Sequence, residues 1–293
     1  MARPLVRDEE GVSTFWSFVG VLVLVAAILA VYFVYVVPKS GHAPLRAQNG
    51  DDVKVDYIGR FENGFVFDTS LQSVAEDNAS YTKAFAFSWR GTWQPLSFAI
   101  GAVPLAVIQG FDVGVQGLAV GDAKTIVVPP NLGYGAADPT KIIVKPLFEN
   151  VPVRVTMNES DFANTYKTPA VSGSNVTDPF WGWSAYVSVS GSIVTVTNSP
   201  VPDQTVHPYD RWDARVVSVD DGADNGIGRI VVHHLLDGSA VDRIGTRSAP
   251  GTVVFVVTAV DLAAGTYTLD YNNPVRGRNL VFEVTMVAIT RVA

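Results

Sequence analysis

The sequence predicts an α+β protein preceded by one transmembrane helix, and three observations carry this. An uncharged run from Phe15 to Val37 is long enough to cross a bilayer. Pro95 to Gly135 reads as strand, short amphipathic helix and strand. From Trp183 to Tyr271 the chain is a succession of β-branched runs parted by turn signals, which predicts a mostly β segment.

The first run, FWSFVGVLVLVAAILAVYFVYVV, contains no charged residue. At about 1.5 Å per residue it reaches roughly 35 Å, against a hydrocarbon core of about 30 Å. The apolar part of a cleaved leader is only about 7–15 residues long, so a retained anchor is the better reading. Phe15, Trp16 and Phe18 at one end and Tyr32, Phe33 and Tyr35 at the other suit the two interfaces. Arg3 and Arg7 precede the run while Lys39 and Arg46 follow it, so the positive-inside rule is balanced. Asn-x-Ser/Thr sequons at Asn78, Asn158 and Asn175 all lie beyond it and favour a C-terminal body outside the cell. The expectation is a single-pass protein of the cell membrane, with a tail over 1–14, a helix over 15–37 and a polar linker over 38–50.

Hydrophobic residues make up 48% of the chain and charged ones 17%, which suits a globular body plus an apolar appendage. The formal net charge of −7 offers no basic patch to neutralise phosphates, so no nucleic-acid partner is expected. There is no cysteine and hence no disulfide framework. His233 and His234 are neighbours on a strand-like run, pointing to opposite faces, while His42 and His207 are isolated. No metal and no cofactor are expected.

In order after the linker, VKVDYIG alternates, with Val53, Val55 and Tyr57 on one face. Asn63-Gly64 is a tight-turn signal that folds FVFDTS back on it. Leu71 to Gln94 reads as a packed surface excursion, since Phe85, Phe87, Trp89 and Trp93 give it apolar weight, and no chemistry is visible in it. PLSFAIG alternates and breaks at Gly101. VIQGFDVGVQGL puts Ile108, Phe111, Val115 and Leu118 at helical spacing. KTIVVPP is a strand stopped by Pro129 and Pro130, and NLGYG is a glycine-hinged turn bearing Tyr134. No residue here looks like a nucleophile; what the stretch could build is an apolar hollow rimmed by a phenol.

Three blocks, VKVDYIGRFENGFVFDTS, the stretch from Pro95 to Gly135, and NLVFEVTMVAI (Asn279 to Ile289), resemble in order and register the FKBP-type peptidyl-prolyl isomerases. The resemblance implies an antiparallel twisted sheet wrapped on a short helix, over a first part 51–145 and a last strand within 273–293. The long segment between them, 146–272, is similar in placement to the inserted flap domain of archaeal and SlyD-type members, though larger. TYTLDYNNPVRGRNLVFEV resembles their re-entry signature, with Asn272 and Gly277 in place. A mostly β inserted domain would then be a guest on a host whose pocket residues all lie outside it.

What the resemblance implies about the site is carried over residue by residue. Asp68, Tyr134 and Tyr57 would be the catalytic polar groups. Phe67, Phe98, Val107, Ile108, Phe111 and Phe282 would bind substrate. Tyr134 would donate its hydroxyl to a substrate carbonyl, Ile108 its N–H, and Asp68 would orient Tyr57. Taken singly, the aromatics would be core residues and Asp68 a turn cap. Phe111 stands where the family often has tryptophan, Leu96 where it has a further aromatic, and Gly117-Leu118 where it has glycine-methionine, changes that keep the hollow apolar. Partners would be unfolded or proline-containing polypeptide clients, with the insert as a client-binding chaperone domain and folding of extracytoplasmic proteins as the task. The alternatives are a catalytically inactive docking module of the same fold at the cell surface, or a scaffold displaying the insert for adhesion.

Overall fold

The computed structural model describes residues 44–249 and 252–291. Among these, no helix is long and apolar enough to cross a membrane, and the span expected over 15–37 lies outside them.

The body that carries the site is one antiparallel sheet closed on a short helix. Its strands are β1 (Asp52–Phe61), β2 (Val66–Thr69), β3 (Leu96–Ala99), β4 (Ala123–Val128) and β17 (Leu280–Thr290). The order is β2-β1-β17-β4, with β3 alongside the first half of β1. Helices α1 (Gln72–Glu76) and α2 (Gln109–Gly114) lie between strands, and α2 covers the inner face. Period-2 alternation decides which side is buried. On β17, Leu280, Phe282, Val284 and Met286 are 5% exposed or less, while Glu283 and Thr285 face solvent. At Gly59 the inner face has no room for a side chain: a Cβ would meet the Phe67 ring at 2.9 Å and the Phe282 ring at 3.1 Å.

Between β4 and β17 the chain builds three further four-stranded antiparallel sheets. It goes out through β5 (Ile142–Pro146), β6 (Phe148–Pro152) and β7 (Arg154–Asn158), which are separated only by Leu147 and Val153. Helix α3 (Glu159–Tyr166) follows, capped by the Asn158 side chain on Asp161 N–H. The chain returns as three meanders: β8 (Asn175–Thr177), β9 (Ser184–Ser190), β10 (Ile193–Asn198); β11 (Thr205–Val206), β12 (Ala214–Asp220), β13 (Arg229–His234); and β14 (Gly245–Ala249), β15 (Thr252–Asp261), β16 (Thr266–Asp270). The sheet orders are β7-β10-β9-β8, β6-β13-β12-β11 and β5-β16-β15-β14. Each outgoing strand therefore pairs with the last strand of a returning meander, as β4 pairs with β17. The sequence shows no repeat, yet the topology repeats.

Single buried residues join the sheets. Leu147 N–H donates to Gly265 O (2.7 Å) in one sheet while its carbonyl accepts from His234 N–H (2.8 Å) in the next. Val153 does the same further out, between Gly228 O (3.1 Å) and Asn198 N–H (2.8 Å). His234, one of two neighbours expected to point to opposite faces of a strand, is fully buried at the first junction. It accepts from Trp212 Nε1 at Nδ1 (3.0 Å) and meets Glu149 through Nε2 (3.0 Å).

The innermost inserted sheet is fastened to the body by Asp242, which is 2% exposed. Its carboxylate takes two hydrogen bonds from Arg278 (2.6 and 2.7 Å) and one from Asn63 Nδ2 (2.7 Å). The Arg278 guanidinium lies 3.6 Å over the Phe61 ring. Removing one partner of a buried pair leaves the other charge uncompensated. Asp242→Ala should therefore lower stability by about 3 kcal/mol, read from urea unfolding of the full chain. A loss below about 1 kcal/mol would show that the junction adds no more than an exposed ion pair.

Candidate functional site

The site forms where β1 and β2 run out of register. β1 pairs Gly59 with Asp68 and shifts by one residue at Arg60, a bulge that aims Asp68 across the strand toward Tyr57. The Asp68-Thr69-Ser70 turn then secures the two. Thr69 Oγ1 donates to Tyr57 O (2.7 Å), Tyr57 N–H to Ser70 Oγ (3.0 Å) and Thr69 N–H to Asp68 Oδ1 (2.9 Å). Tyr57 donates its hydroxyl to Asp68 Oδ2 at 2.7 Å. The expected phenol–carboxylate pair is thus present.

Below it the aromatic residues form one cluster. Phe111 stands edge-on to Phe282 (5.1 Å between centroids) and to Tyr57 (6.0 Å), and Phe67 edge-on to Phe282 (5.7 Å). Phe98 tilts against Phe111 at 5.9 Å. The edge-to-face geometry is the one that aromatic quadrupoles favour. These five residues are 3–6% exposed, and half-buried Val107 and Ile108 pack against them. Ile108 is the extended residue before α2, its carbonyl taken by Phe111 and Asp112 N–H.

Tyr134 stands on the turn after β4, 46% exposed. It shares with Phe67 and Asp68 a groove of about 530 Å³. All nine residues singled out from the sequence thus lie in one neighbourhood, with three of them lining this groove. The opposite wall was not foreseen: it includes Thr252 and Val253 of β15 and the run Tyr271 to Val275. The inserted segment is part of the groove rather than a guest beside it. Another hollow, about 410 Å³, is lined by Asp56, Tyr57, Lys124 and Glu283 among others.

The excursion from Leu71 to Gln94, read as having no chemistry, supplies a cation to the site. Arg90 Nη2 donates to both Asp68 oxygens (2.7 Å to Oδ2) and to the Tyr57 hydroxyl (2.9 Å). Nothing in the spacing of Arg90 gave this away; Phe85, Phe87, Trp89 and Trp93 around it marked only a packed loop. Burial pushes the Asp68 carboxyl above the usual carboxylate value, although the Tyr57 hydroxyl and the Arg90 charge pull it down. Burial and then the Asp68 charge raise the Tyr57 phenol, and the same two causes raise Tyr134. Arg90 is itself raised: burial lowers it, but Asp68 and Tyr57 outweigh that. Among the described residues no group of His, Asp or Glu is arranged to hold a metal.

A sheet closed on a helix, with a phenol–carboxylate pair above packed aromatics, has counterparts among known proteins. The family profile of FKBP-type peptidyl-prolyl cis-trans isomerases matches residues 43–147. The "Short-type peptidyl-prolyl cis-trans isomerase" of Methanocaldococcus jannaschii is 40% identical over 91 residues, which is 31% of this chain and 52% of that protein. "FK506-binding protein 2" of Yarrowia lipolytica is 34% identical over 98 residues, 33% of this chain and 54% of that one. Its namesake in Dictyostelium discoideum is 35% identical over 91 residues, 31% and 53% respectively. The chain spans about half the length of the curated relatives it matches. It carries an FKBP-type peptidyl-prolyl isomerase domain, whose match ends just after β5, while the strand that completes the sheet, β17, lies beyond it.

The titration of Asp68 follows with a definite sign. A carboxyl raised on folding contributes stability that is present below its unfolded value near about 3.9 and is lost as pH rises through the folded value. Arg90→Leu removes a charge that lowers Asp68, so the midpoint should rise further. Carbon NMR of the Asp68 carboxyl should find it above the ordinary range in the wild type and higher in the variant; a downward move would refute the assignment of cause.

Proposed function

We propose that the protein is a peptidyl-prolyl cis-trans isomerase acting on proline-containing polypeptides. The observation that carries this reading is the Tyr57–Asp68 pair, set between the aromatic cluster and a groove rimmed by Tyr134. Prolyl isomerisation breaks no bond. Its barrier is the loss of amide resonance, about 18–20 kcal/mol. The twisted amide is less charge-separated than the planar one, so an apolar setting favours it, and donors placed for the twisted geometry favour it further. Tyr134 and the Ile108 N–H are the donors in this reading. Phe67, Phe98, Val107, Phe111 and Phe282 give the proline an apolar bed. Asp68 orients Tyr57 and sets the field at the groove edge rather than taking a proton.

The same reading makes the three inserted sheets a holding surface for unfolded clients. Thr252 and Val253 of β15 line the groove, and β5 is an edge strand with Ile142, Ile143 and Val144 exposed, the sort of edge on which an extended chain can pair. With the helix expected over 15–37 as anchor, such a protein would assist folding at the outer face of the membrane.

Two measurements test this. In the full chain, Asp68→Leu or Phe282→Ala should slow isomerisation of a short Xaa-Pro peptide by tenfold or more, at least about 1.4 kcal/mol of transition-state stabilisation. Circular dichroism must show each variant folded, because truncating a buried phenylalanine alone costs about 3–5 kcal/mol. A wild-type chain without activity would leave the docking-module alternative in its place. For location, protease added to intact cells should remove the body beyond residue 38; protection until the membrane is opened would place it inside.

A further inference from the structure

The strip that brings Arg90 to the site is itself held from the inserted domain. Residues Thr82 to Ser88 lie along β2: Val66 N–H donates to Thr82 O (2.9 Å), Ala84 N–H to Val66 O (2.9 Å) and Ser88 N–H to Phe67 O (3.1 Å). Ala86 and Ser88 of this strip line the groove, and two residues on Arg90 meets Asp68 and Tyr57. Phe85, in the middle, is gripped from the other side. Its N–H donates to Asp242 O (2.6 Å), and its carbonyl accepts from the Arg247 guanidinium. That guanidinium also lies 4.8 Å over the Phe85 ring. Gly245 approaches so closely that a Cβ there would meet Phe85 Cδ1 at 2.6 Å. Asp242 in turn is fixed by Arg278 and Asn63.

We propose that Phe85 is a positioning residue, through which the inserted sheet sets Arg90 against Asp68 and Tyr57 and so tunes the groove. This rests on the isomerase reading above. The strip has two sets of contacts that do different things. Its backbone bonds to β2 keep it folded on the body, and they survive loss of the Phe85 side chain. The Phe85 grip fixes where along and above β2 the strip sits, and hence where the Arg90 guanidinium ends. Hydrogen bonds between charged groups weaken steeply with distance and angle, and misplacement of a site group by about 1 Å can cost two orders of magnitude in rate. Asp68 is faced by Tyr57 from β1, by Arg90 from the strip and by Tyr134 from the turn after β4. With Arg90 loosened, the carboxylate loses the one cation paired with it among the described residues, and both its direction and its protonation change. An unfolded client held on the inserted sheets would act on the same connection, because Arg247 and Gly245 belong to β14.

The test uses the full 293-residue chain and a short Xaa-Pro peptide. The variants are Phe85→Ala, Phe85→Tyr, Arg247→Ala, Arg90→Leu and the double variant Phe85→Ala/Arg90→Leu. Phe85→Ala and Arg247→Ala should lower kcat/KM by roughly five- to tenfold and move the acid limb of the rate to higher pH, the direction Arg90→Leu also takes. Phe85→Tyr, which keeps the ring, should restore both. The double variant should be no worse than Arg90→Leu alone, since both changes break one connection. An unmoved acid limb in folded Phe85→Ala, or losses that simply add, would overturn the proposal. If Phe85→Ala does not fold, Arg247→Ala decides, because it leaves the ring and the strip intact. If the wild type shows no isomerisation, the isomerase reading fails by itself. The Asp68 midpoint, followed by carbon NMR in the same proteins, still reads the connection: a rise in Phe85→Ala supports it and an unchanged midpoint refutes it.

Discussion

The structure turns on β17. The last strand of the body lies between β1 and β4, so the antiparallel sheet closes only when the two ends of a very long excursion are brought back together. Every inner-face residue of β17 depends on this, Phe282 among them, and with it the aromatic cluster below Tyr57. Closing a loop of this length costs entropy that grows only with the logarithm of its length, but the pairing must still form before the cluster does. The chain meets this constraint step by step. β5 and β16 pair immediately beyond the body, and Asn272 holds Asp138 through N–H and carbonyl (2.9 and 3.0 Å), so the ends are clipped before β17 begins. The same device recurs outward in β6 with β13 and β7 with β10.

This nesting explains why the sheets do not behave as separate beads. Leu147 and Val153 leave no slack between outgoing strands, and each is buried in the cluster at its junction. Aromatic side chains bridge the same joints: Trp183, Trp181, Phe180, Tyr209, Phe255 and Tyr271 follow one another with ring centroids 4.8–5.3 Å apart. Tyr271, at the near end, lines the groove. Tyr209 adopts a positive φ of 56° to reach both neighbours, a strain the packing around it has to offset.

How much of this the sequence held can be said residue by residue. The alternation in NLVFEVTMVAI announced which side of β17 is buried, and Asn63-Gly64 announced the hairpin, because period and turn chemistry are local. The β-branched runs between Trp183 and Tyr271 became strands for the same reason. Tyr57 and Asp68 were legible through register with a known family, and the bulge after Gly59 explains why they meet. Arg90 was not legible. Its partners lie over twenty residues away, and what brings it to them is the position of Phe85, set by Asp242 and Arg247 far along the chain. The burial of His234 was hidden likewise, since its partners are Trp212 from the turn before β12 and Glu149 from β6, and no local pattern marks a histidine for a junction.

The site therefore combines two kinds of contact. Tyr57 with Asp68 is local: one bulge, one turn and a few hydrogen bonds within β1 and β2 suffice to build it. The placement of the cation on that pair is remote, since the strip that carries Arg90 is gripped from β14, and so are Thr252 and Val253 of the groove wall, from β15; the body needs neither strand in order to form its sheet. In such an arrangement the inserted domain cannot be a passive appendage. Replacing it by a short loop would strip Asn63, Arg278 and Phe85 of their partners together, so the effect of a deletion on the groove would mix lost holding of clients with lost placement of Arg90. Point changes at Phe85 and Arg247 separate the two, because they leave the inserted sheets and their exposed edge standing while altering only the path by which those sheets reach Asp68.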